Sequence, residues 1–505
     1  MSDTGSSQHG DAEARISTGV PGLDDILGGG LTPSRLYLLE GTPGTGKTTL
    51  ALQFLREGSA RNEHTLYITL SETADELRAA AATHGWTLDD IDVYELVDEM
   101  GLDPDSEQSI LHPSEIELGE TVKEVIARVE ETKPSRVVFD SLSELRLLAQ
   151  NPLRYRRQIL ALKRFFAKRD CTVLMLDDKT SETGDVQLHS IAHGVVSLEQ
   201  AAREFGAERR RLRIVKMRGI KFRGGYHDFA LETGGIEVYP RLIAAEHHAT
   251  FDSAGKSTGS AELDLLLGGG LIPGTNTLLL GPSGVGKTTT AIRCMLTALE
   301  RGEAATYFLF DEGLPTLLTR SALLGMDLSP HIDAGRLTIT QIDPAELSPG
   351  EFASVVRAAV ESHGSSFIAL DSLNAYLHAM PGEEFLILQM HELLTYLNQK
   401  GATTLLVLGQ HGIVGEVRSD VDLSYLSDCI LLFRFFEAKG EVRTAISVVK
   451  SRVNAHERSI RELRLGHGGL RVGEALGDFE GVLTGLPAYR GNVALLSGAS
   501  DGATR

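Results

Sequence analysis

The apolar positions of this chain gather in short runs, and longer stretches of mixed polarity separate them. Arg35–Glu40 (RLYLLE), Thr65–Leu70 (TLYITL), Arg136–Phe139 (RVVF) and Cys171–Leu176 (CTVLML) are such runs. Short and nearly continuous, they predict strands buried on both faces rather than half-exposed ones. Thr48–Gly58 and Ala74–His84 predict helices between them, the second from strong helix formers. Matching runs recur at Asn276–Leu280, Ala305–Phe310, Phe367–Leu370 and Thr403–Leu408. Strands alternating with helices predict an α/β fold built on a mainly parallel, doubly wound sheet. Antiparallel strands are expected to extend each sheet late in the pattern.

The second set of runs is a copy of the first. Ser17–Ala51 (STGVPGLDDILGGGLTPSRLYLLEGTPGTGKTTLA) and Ser257–Ala291 (STGSAELDLLLGGGLIPGTNTLLLGPSGVGKTTTA) lie 240 residues apart and share 20 of 35 positions without a gap. A length of 505 residues alone would predict about three domains. The repeat instead sets two, each far longer than a solenoid unit. The expected organisation is a flexible tail over 1–15, a first domain over 16–245, a polar linker over 246–256, a second domain over 257–485 and a short tail over 486–505.

Each copy carries a phosphate cradle. Gly41-Thr42-Pro43-Gly44-Thr45-Gly46-Lys47-Thr48 and Gly281-Pro282-Ser283-Gly284-Val285-Gly286-Lys287-Thr288 fit G-x-x-x-x-G-K-[ST], each between a predicted strand and a predicted helix. Glycines let backbone N–H groups curl round an anion without a clashing Cβ, and the following helix offers its positive end. Lys47 and Lys287 would reach the β- and γ-phosphates of ATP. The hydroxyls of Thr48 and Thr288 would hold Mg²⁺, with Thr49 and Thr289 completing the loops. Asp140 and Asp371 close apolar runs (VVFD, IALD), so they should stand at strand carboxyl ends and serve as the carboxylates for the same cation. The competing reading makes them helix N-caps.

Hydrolysis also needs a group that orients or deprotonates water. Glu72 and Glu312 follow matching strands 240 residues apart, and Asp311 precedes the second. Late in each copy a strand-like run carries a basic pair, Lys216/Arg218 in IVKMRG and Lys450/Arg452 in SVVKSR. Alternation on a strand would send both cations of a pair to one face, fit to reach a neighbouring subunit's γ-phosphate. Arg203–Arg213 (REFGAERRRLR) reads as a solvated turn, His247-His248 as a linker pair and Trp86 as a packing residue.

Composition narrows the setting. Lys and Arg number 49 against 69 Asp and Glu, a net charge of −20, which argues against non-specific nucleic-acid binding. No apolar run reaches a membrane-spanning length, and Met1–Glu13 is polar, so neither a membrane anchor nor a secretory signal is expected. Three dispersed cysteines fit a reducing compartment, hence the cytoplasm.

STGxxxLDxxLGGGL ahead of both P-loops, SET and DEG at the strand ends, FDS and LDS around the acids, and the KMRG and KSR motifs together resemble the KaiC family of tandem RecA-like ATPases. The resemblance covers nearly the whole chain. It implies a hexameric double ring of identical subunits with ATP between neighbours, hydrolysis in the first copy and serine/threonine autokinase chemistry in the second. Lys216 and Arg218 would then serve a neighbour's first-ring ATP, Lys450 and Arg452 its second-ring ATP, and Glu312 with Asp311 would be the kinase base. A KaiB-like or other signalling protein is the implied partner. The family's clock member has Glu-Glu where this chain has Ser71-Glu72 and Asp311-Glu312. Its phosphorylated Ser-Thr pair aligns with Ser424-Tyr425, which leaves Ser424 as the candidate phosphoacceptor. Two other readings stand beside this one: a RecA- or DnaB-like motor on DNA, and a scaffold in which ATP only holds subunits together.

Overall fold

The computed structural model describes residues 15–96, 113–149, 151–179, 186–202, 206–378, 386–410, 425–466, 469–484 and 488–489. The chain divides into two compact units, Met1–Arg241 and Leu242–Arg505.

The first unit has nine strands, β1 (Leu36–Gly41), β2 (Thr65–Thr69), β3 (Asp92–Glu95), β4 (Arg136–Asp140), β5 (Thr172–Asp178), β6 (Gly194–Ala201), β7 (Arg209–Met217), β8 (His227–Glu232) and β9 (Gly235–Tyr239). Its helices are α1 (Pro21–Ile26), α2 (Lys47–Ala60), α3 (Ala74–Thr83), α4 (Pro113–Thr132), α5 (Leu142–Ala149), α6 (Pro152–Phe166) and α7 (Val186–Ile191). One sheet takes all nine strands in the order β3-β2-β4-β5-β1-β6-β7-β8-β9. The first six in that order pair in parallel, and β6 to β9 continue antiparallel. The antiparallel extension expected from the sequence is therefore the β7–β9 meander.

Period-2 alternation explains why the central strands read as continuous apolar runs. Tyr37 and Leu39 of β1 enter a core with α2 residues Leu52 and Leu55. Leu36 and Leu38 enter the opposite core with Leu145, Ile159 and Leu162 of α5 and α6. Both faces of the strand are thus dry, and each fully buried aliphatic or aromatic side chain contributes about 1.5–3 kcal/mol. Helix α3 starts at a capping box in which Thr73 and Glu76 satisfy each other's backbone N–H groups.

The second unit repeats this plan. The strands of its main sheet are β10 (Asn276–Gly281), β11 (Ala305–Leu309), β12 (Leu337–Gln341), β13 (Phe367–Asp371), β14 (Thr403–Gly409), β15 (Cys429–Ala438), β16 (Glu441–Ser451), β17 (Arg461–Gly466) and β18 (Gly469–Ala475), and β19 (Phe479–Glu480) and β20 (Ala488–Tyr489) pair apart from it. Its helices are α8 (Ala261–Leu266), α9 (Lys287–Glu300), α10 (Leu314–Leu323), α11 (Ser329–Asp333), α12 (Pro349–Glu361), α13 (Leu373–His378) and α14 (Leu386–Gln399). The sheet order β12-β11-β13-β14-β10-β15-β16-β17-β18 matches the first unit place for place. Both units are RecA-like α/β domains. Among the described residues, no helix is long and apolar enough to cross a membrane.

One local expectation is corrected. Of the stretch Arg203–Arg213, residues 203–205 lie outside the described residues and 206–208 lie between strands β6 and β7, but Arg209–Arg213 opens strand β7 and Arg209 is buried. Sheet pairing with β6 and β8 overrides the turn-like charge density, and Glu199 takes up part of that charge through Arg211. Trp86 is buried, with the Arg56 guanidinium 4.6 Å above its ring.

Candidate nucleotide sites

Each P-loop leaves the carboxyl end of a central strand, β1 or β10, where ligands bind in open α/β sheets. The loops need glycine for two separate reasons. Gly44, Gly46, Gly284 and Gly286 have φ between +78° and +99°, the left-handed region that L side chains avoid. At Gly41 a Cβ would stand 2.6 Å from the Thr45 hydroxyl, and at Gly281 one would stand 2.6 Å from the Phe433 carbonyl. The loops are then fastened from inside. Lys47 Nζ donates to the carbonyls of Gly41 (2.9 Å) and Thr42 (3.0 Å), and Thr45 Oγ1 donates to Thr42 (2.8 Å). Lys287 Nζ donates to the carbonyls of Gly281 (2.7 Å) and Pro282 (2.6 Å), and burial pushes its pKa down to about 8. Thr42, Pro43 and Gly44 are exposed at the loop crest, whereas Thr45 and Val285 are buried beneath. Ser283, Gly284, Gly286, Lys287, Thr288 and Thr289 line one open cleft of about 1270 Å³. Thr49 Oγ1 lies 3.4 Å from His84 Nε2.

Asp140 and Asp371 are the last residues of β4 and β13, both buried. The peptide bond that follows each is cis. The Tyr67 hydroxyl donates to Asp140 Oδ2 at 2.5 Å, and that of Tyr307 donates to Asp371 Oδ2 at 2.5 Å. Thr288 Oγ1 adds a 2.7 Å bond to the same Asp371 oxygen, and Thr48 stands close enough to Asp140 to favour its ionised form. Burial raises both carboxyls, and the tyrosine and threonine hydroxyls work against that rise by bonding the ionised form. A threonine hydroxyl and a carboxylate at one spot form an all-oxygen donor pair, which fits Mg²⁺ completed by water and phosphate. No group of three His, Cys, Asp or Glu that could cage a metal occurs among the described residues.

The remaining acids stand near by. Glu72 lies three residues past β2, and burial together with Asp140, Glu76 and Asp178 raises its carboxyl. In the second unit Asp311 accepts a short hydrogen bond from the Ser372 hydroxyl, and Glu312 accepts from Arg320 at 2.7 Å. Both acids line the cleft with Lys287, Thr288 and Asp371.

The basic pairs are placed otherwise. Lys216 and Lys450 lie within β7 and β16, but Arg218 and Arg452 fall just past the strand ends. Lys216 donates to the carbonyls of His189 and Ala192, and Arg218 to Ser190 at 2.8 Å. Lys450 donates to Ser427 at 2.7 Å and Arg452 to Tyr425 at 2.9 Å. All four thus rest on their own backbone, and neither Lys450 nor Arg452 lines the cleft of its own unit. Ser424 lies outside the described residues, and its neighbour Tyr425 is exposed.

Sequence reading missed several partners. Tyr67 and Tyr307, 240 residues apart, carried a usable signal, a polar tip in an otherwise apolar run of both copies. Asp178, which meets Lys47 at 2.7 Å, has Gly409 at its register position and so left no signal in the repeat. Arg320 has Ala80 at the matching place and was hidden for the same reason.

The family described as ATPase: KaiC matches twice, over residues 16–243 and 256–477. The circadian clock protein KaiC3 of Synechocystis sp. is 27% identical over 507 residues, covering 98% of this chain and 99% of that protein. The circadian clock oscillator protein KaiC of Synechococcus elongatus is 26% identical over 503 residues, 96% of this chain and 94% of its own. With two sites of one build and a doubled match over most of its length, the chain belongs to the KaiC family of ATPases.

Proposed function

We propose that this protein binds ATP with Mg²⁺ at both P-loops and hydrolyses it at interfaces between copies of itself. The observation that carries the reading is the same constellation built twice: P-loop lysine, threonine, buried aspartate and strand-end glutamate. Mg²⁺ supplies charge neutralisation on the phosphates, and Thr48 with Asp140 and Thr288 with Asp371 would hold it. Lys47 and Lys287 draw the β- and γ-phosphates into the loop, whose N–H groups and helix end balance their charge. A water oxygen bonds to the γ-phosphorus as the bond to the β,γ-bridging oxygen breaks. ADP leaves with that electron pair, and the water proton passes to Glu72 or Glu312 and on to the phosphate product. Lys216/Arg218 and Lys450/Arg452 are held on backbone carbonyls, and neither Lys450 nor Arg452 lines its own unit's cleft; in this reading they serve a neighbour's γ-phosphate in a hexameric ring.

In the second unit a protein hydroxyl competes with water for the same γ-phosphoryl group, with Ser424 as acceptor and Glu312, assisted by Asp311, as base. The protein then acts in cytoplasmic signalling or timing, with a KaiB-like partner. The domain limits 16–245 and 257–485 belong to the same reading. The test is incubation with Mg²⁺ and γ-labelled ATP. Label on the protein that disappears in Ser424→Ala supports the autokinase step. Label found only in free phosphate leaves a ring ATPase, and no turnover at all removes the proposal.

A further inference from the structure

The two strand-end glutamates differ in one partner. Arg320 lies on α10, eight residues after Glu312, and its guanidinium donates to Glu312 Oε2 at 2.7 Å. Eight residues after Glu72 stands Ala80, an exposed position on α3. Arg320 lines the cleft that holds Lys287, Thr288, Asp371 and Glu312. Its Nε is buried and hydrogen-bonds nothing, so the guanidinium is fastened through the Glu312 contact. Asp311 is also engaged, by the Ser372 hydroxyl. Glu72, in contrast, has no ion pair among the described residues.

A general base works by offering a carboxylate oxygen to the attacking water. A guanidinium that donates to that carboxylate occupies an oxygen and fixes its direction. We propose that Arg320 is a brake on hydrolysis in the second site: by pairing with Glu312 it withholds this carboxylate from water, so that site turns ATP over more slowly than the first. The inference rests on the ATPase reading above. Arg320 acts here as a positioning residue, through Glu312 rather than on the nucleotide. Arg320 is 40% exposed and Glu312 26%. Pairs of that exposure are weak, so the brake is worth about two- to fivefold in rate.

The test uses the full-length chain with one site silenced at a time. In a Glu72→Gln background, where phosphate release reports the second site, Arg320→Ala is expected to raise kcat about two- to fivefold with KM unchanged. Arg320→Lys keeps a cation within reach and is expected to restore the slow rate. In a Glu312→Gln background the reciprocal change Ala80→Arg is expected to slow the first site by a similar factor. Both substituted positions are solvent-accessible, so neither change disturbs the core. A kcat that stays or falls with Arg320→Ala overturns the brake, and so does a raised KM, which would place Arg320 on the nucleotide. Release from both sites that ignores positions 320 and 80 overturns the brake and leaves the ATPase reading standing. Absence of release in every background overturns both.

Discussion

The two units have sheets of the same strand order but not the same electrostatics. Glu40 and Asp177 pair at the ends of β1 and β5 in the first unit, where Leu280 and Leu408 pair in the second. Glu40 takes a 2.7 Å contact from His189 Nε2, and Asp177 is held by Arg146 at 2.9 Å. The strand that opens with Arg136 in the first unit opens with Phe367 in the second, and both side chains are fully buried. Among the described residues, buried Lys, Arg, Asp and Glu in the first unit are Glu40, Lys47, Arg136, Asp140, Asp177 and Arg209. In the second they are Lys287 and Asp371 alone. Strand alternation and loop glycines therefore set the frame, and the same positions accept either an ion pair or apolar packing. That matches the near balance between buried ion pairs and hydrophobic replacements of similar volume. The buried charges retained in both units are the P-loop lysine and the strand-end aspartate, the pair proposed to meet phosphate and cation.

The largest effect should come from the part that is equal in both units. Glu72→Gln with Glu312→Gln is expected to lower ATP turnover by about 10²–10⁴-fold, the usual cost of losing a general base. Each single variant then apportions the remaining rate between the sites, and with Glu312 held by Arg320 the greater loss is expected for Glu72→Gln. Phosphate release by the double variant at the parental rate would refute the assignment of both glutamates.

The next effect comes from the part that differs most. Arg136 donates to Glu63 at 2.6 Å and to the carbonyls of Ser17 (2.8 Å) and Phe54 (2.9 Å), and it lies 4.8 Å over the Phe54 ring. Arg136→Ala leaves these acceptors unpaired and opens space in the sheet, at a cost of about 3–5 kcal/mol. In a unit of this size that lowers the melting temperature by about 6–20 °C. Calorimetry should show the first unit's transition moving while the second stays. Joint movement of both transitions would mean that the units do not melt separately, and no movement would mean that Arg136 is dispensable.

Arg136 also marks the limit of what the chain discloses. Its run RVVF reads as a buried strand, and it is one, but nothing local says that a buried arginine will find two carbonyls and a carboxylate from distant segments. The sheet, the P-loops and the strand-end acids were legible because each depends on spacing along the chain: alternation, glycine positions, a 240-residue offset. The pairs Lys47–Asp178 and Glu40–His189 join residues whose relation is set only when distant segments come together, Glu312–Arg320 spans eight residues from a strand end into the next helix, and each occurs in one unit alone. The repeat amplified what the units share and silenced what distinguishes them. The basic pairs were legible as cations but not in their rest positions, because Arg218 and Arg452 fall past the strands that were to aim them.

A third test concerns the second site's lysine. Burial lowers Lys287 to about 8, whereas phosphate needs its ammonium form. Because the folded value lies below the ordinary one near 10.5, the free site gives up its proton first, and above pH 8 nucleotide binding must take one up. Affinity of the second site, measured with Lys47→Ala protein, should therefore fall by about tenfold per pH unit above pH 8. Lys287→Arg keeps its charge throughout this range and should remove the slope. A flat profile for the lysine protein would mean that Lys287 stays charged in the cleft.

The smallest effect asks whether the first site can be made to resemble the second. Asp178 Oδ1 lies 2.7 Å from Lys47 Nζ, and the second unit has Gly409 there. A carboxylate beside the P-loop lysine shares the donors that phosphate needs and repels an incoming polyanion. Asp178→Asn removes the charge and keeps an oxygen for the Ser143 hydroxyl, which lies 3.3 Å from Asp178 Oδ2. Asp178 is 30% exposed, so solvent discounts the pair to under about 1 kcal/mol, and ATP binding to the first site should tighten by about two- to fivefold at low salt. Because the effect is electrostatic and partly exposed, it should fade as ionic strength approaches about 1 M. Unchanged affinity at low salt would show that Asp178 does not compete with phosphate. Weaker binding would carry the opposite lesson: Asp178 would then aim Lys47 at the phosphates, and the second site would have to aim Lys287 with the carbonyls of Gly281 and Pro282 alone.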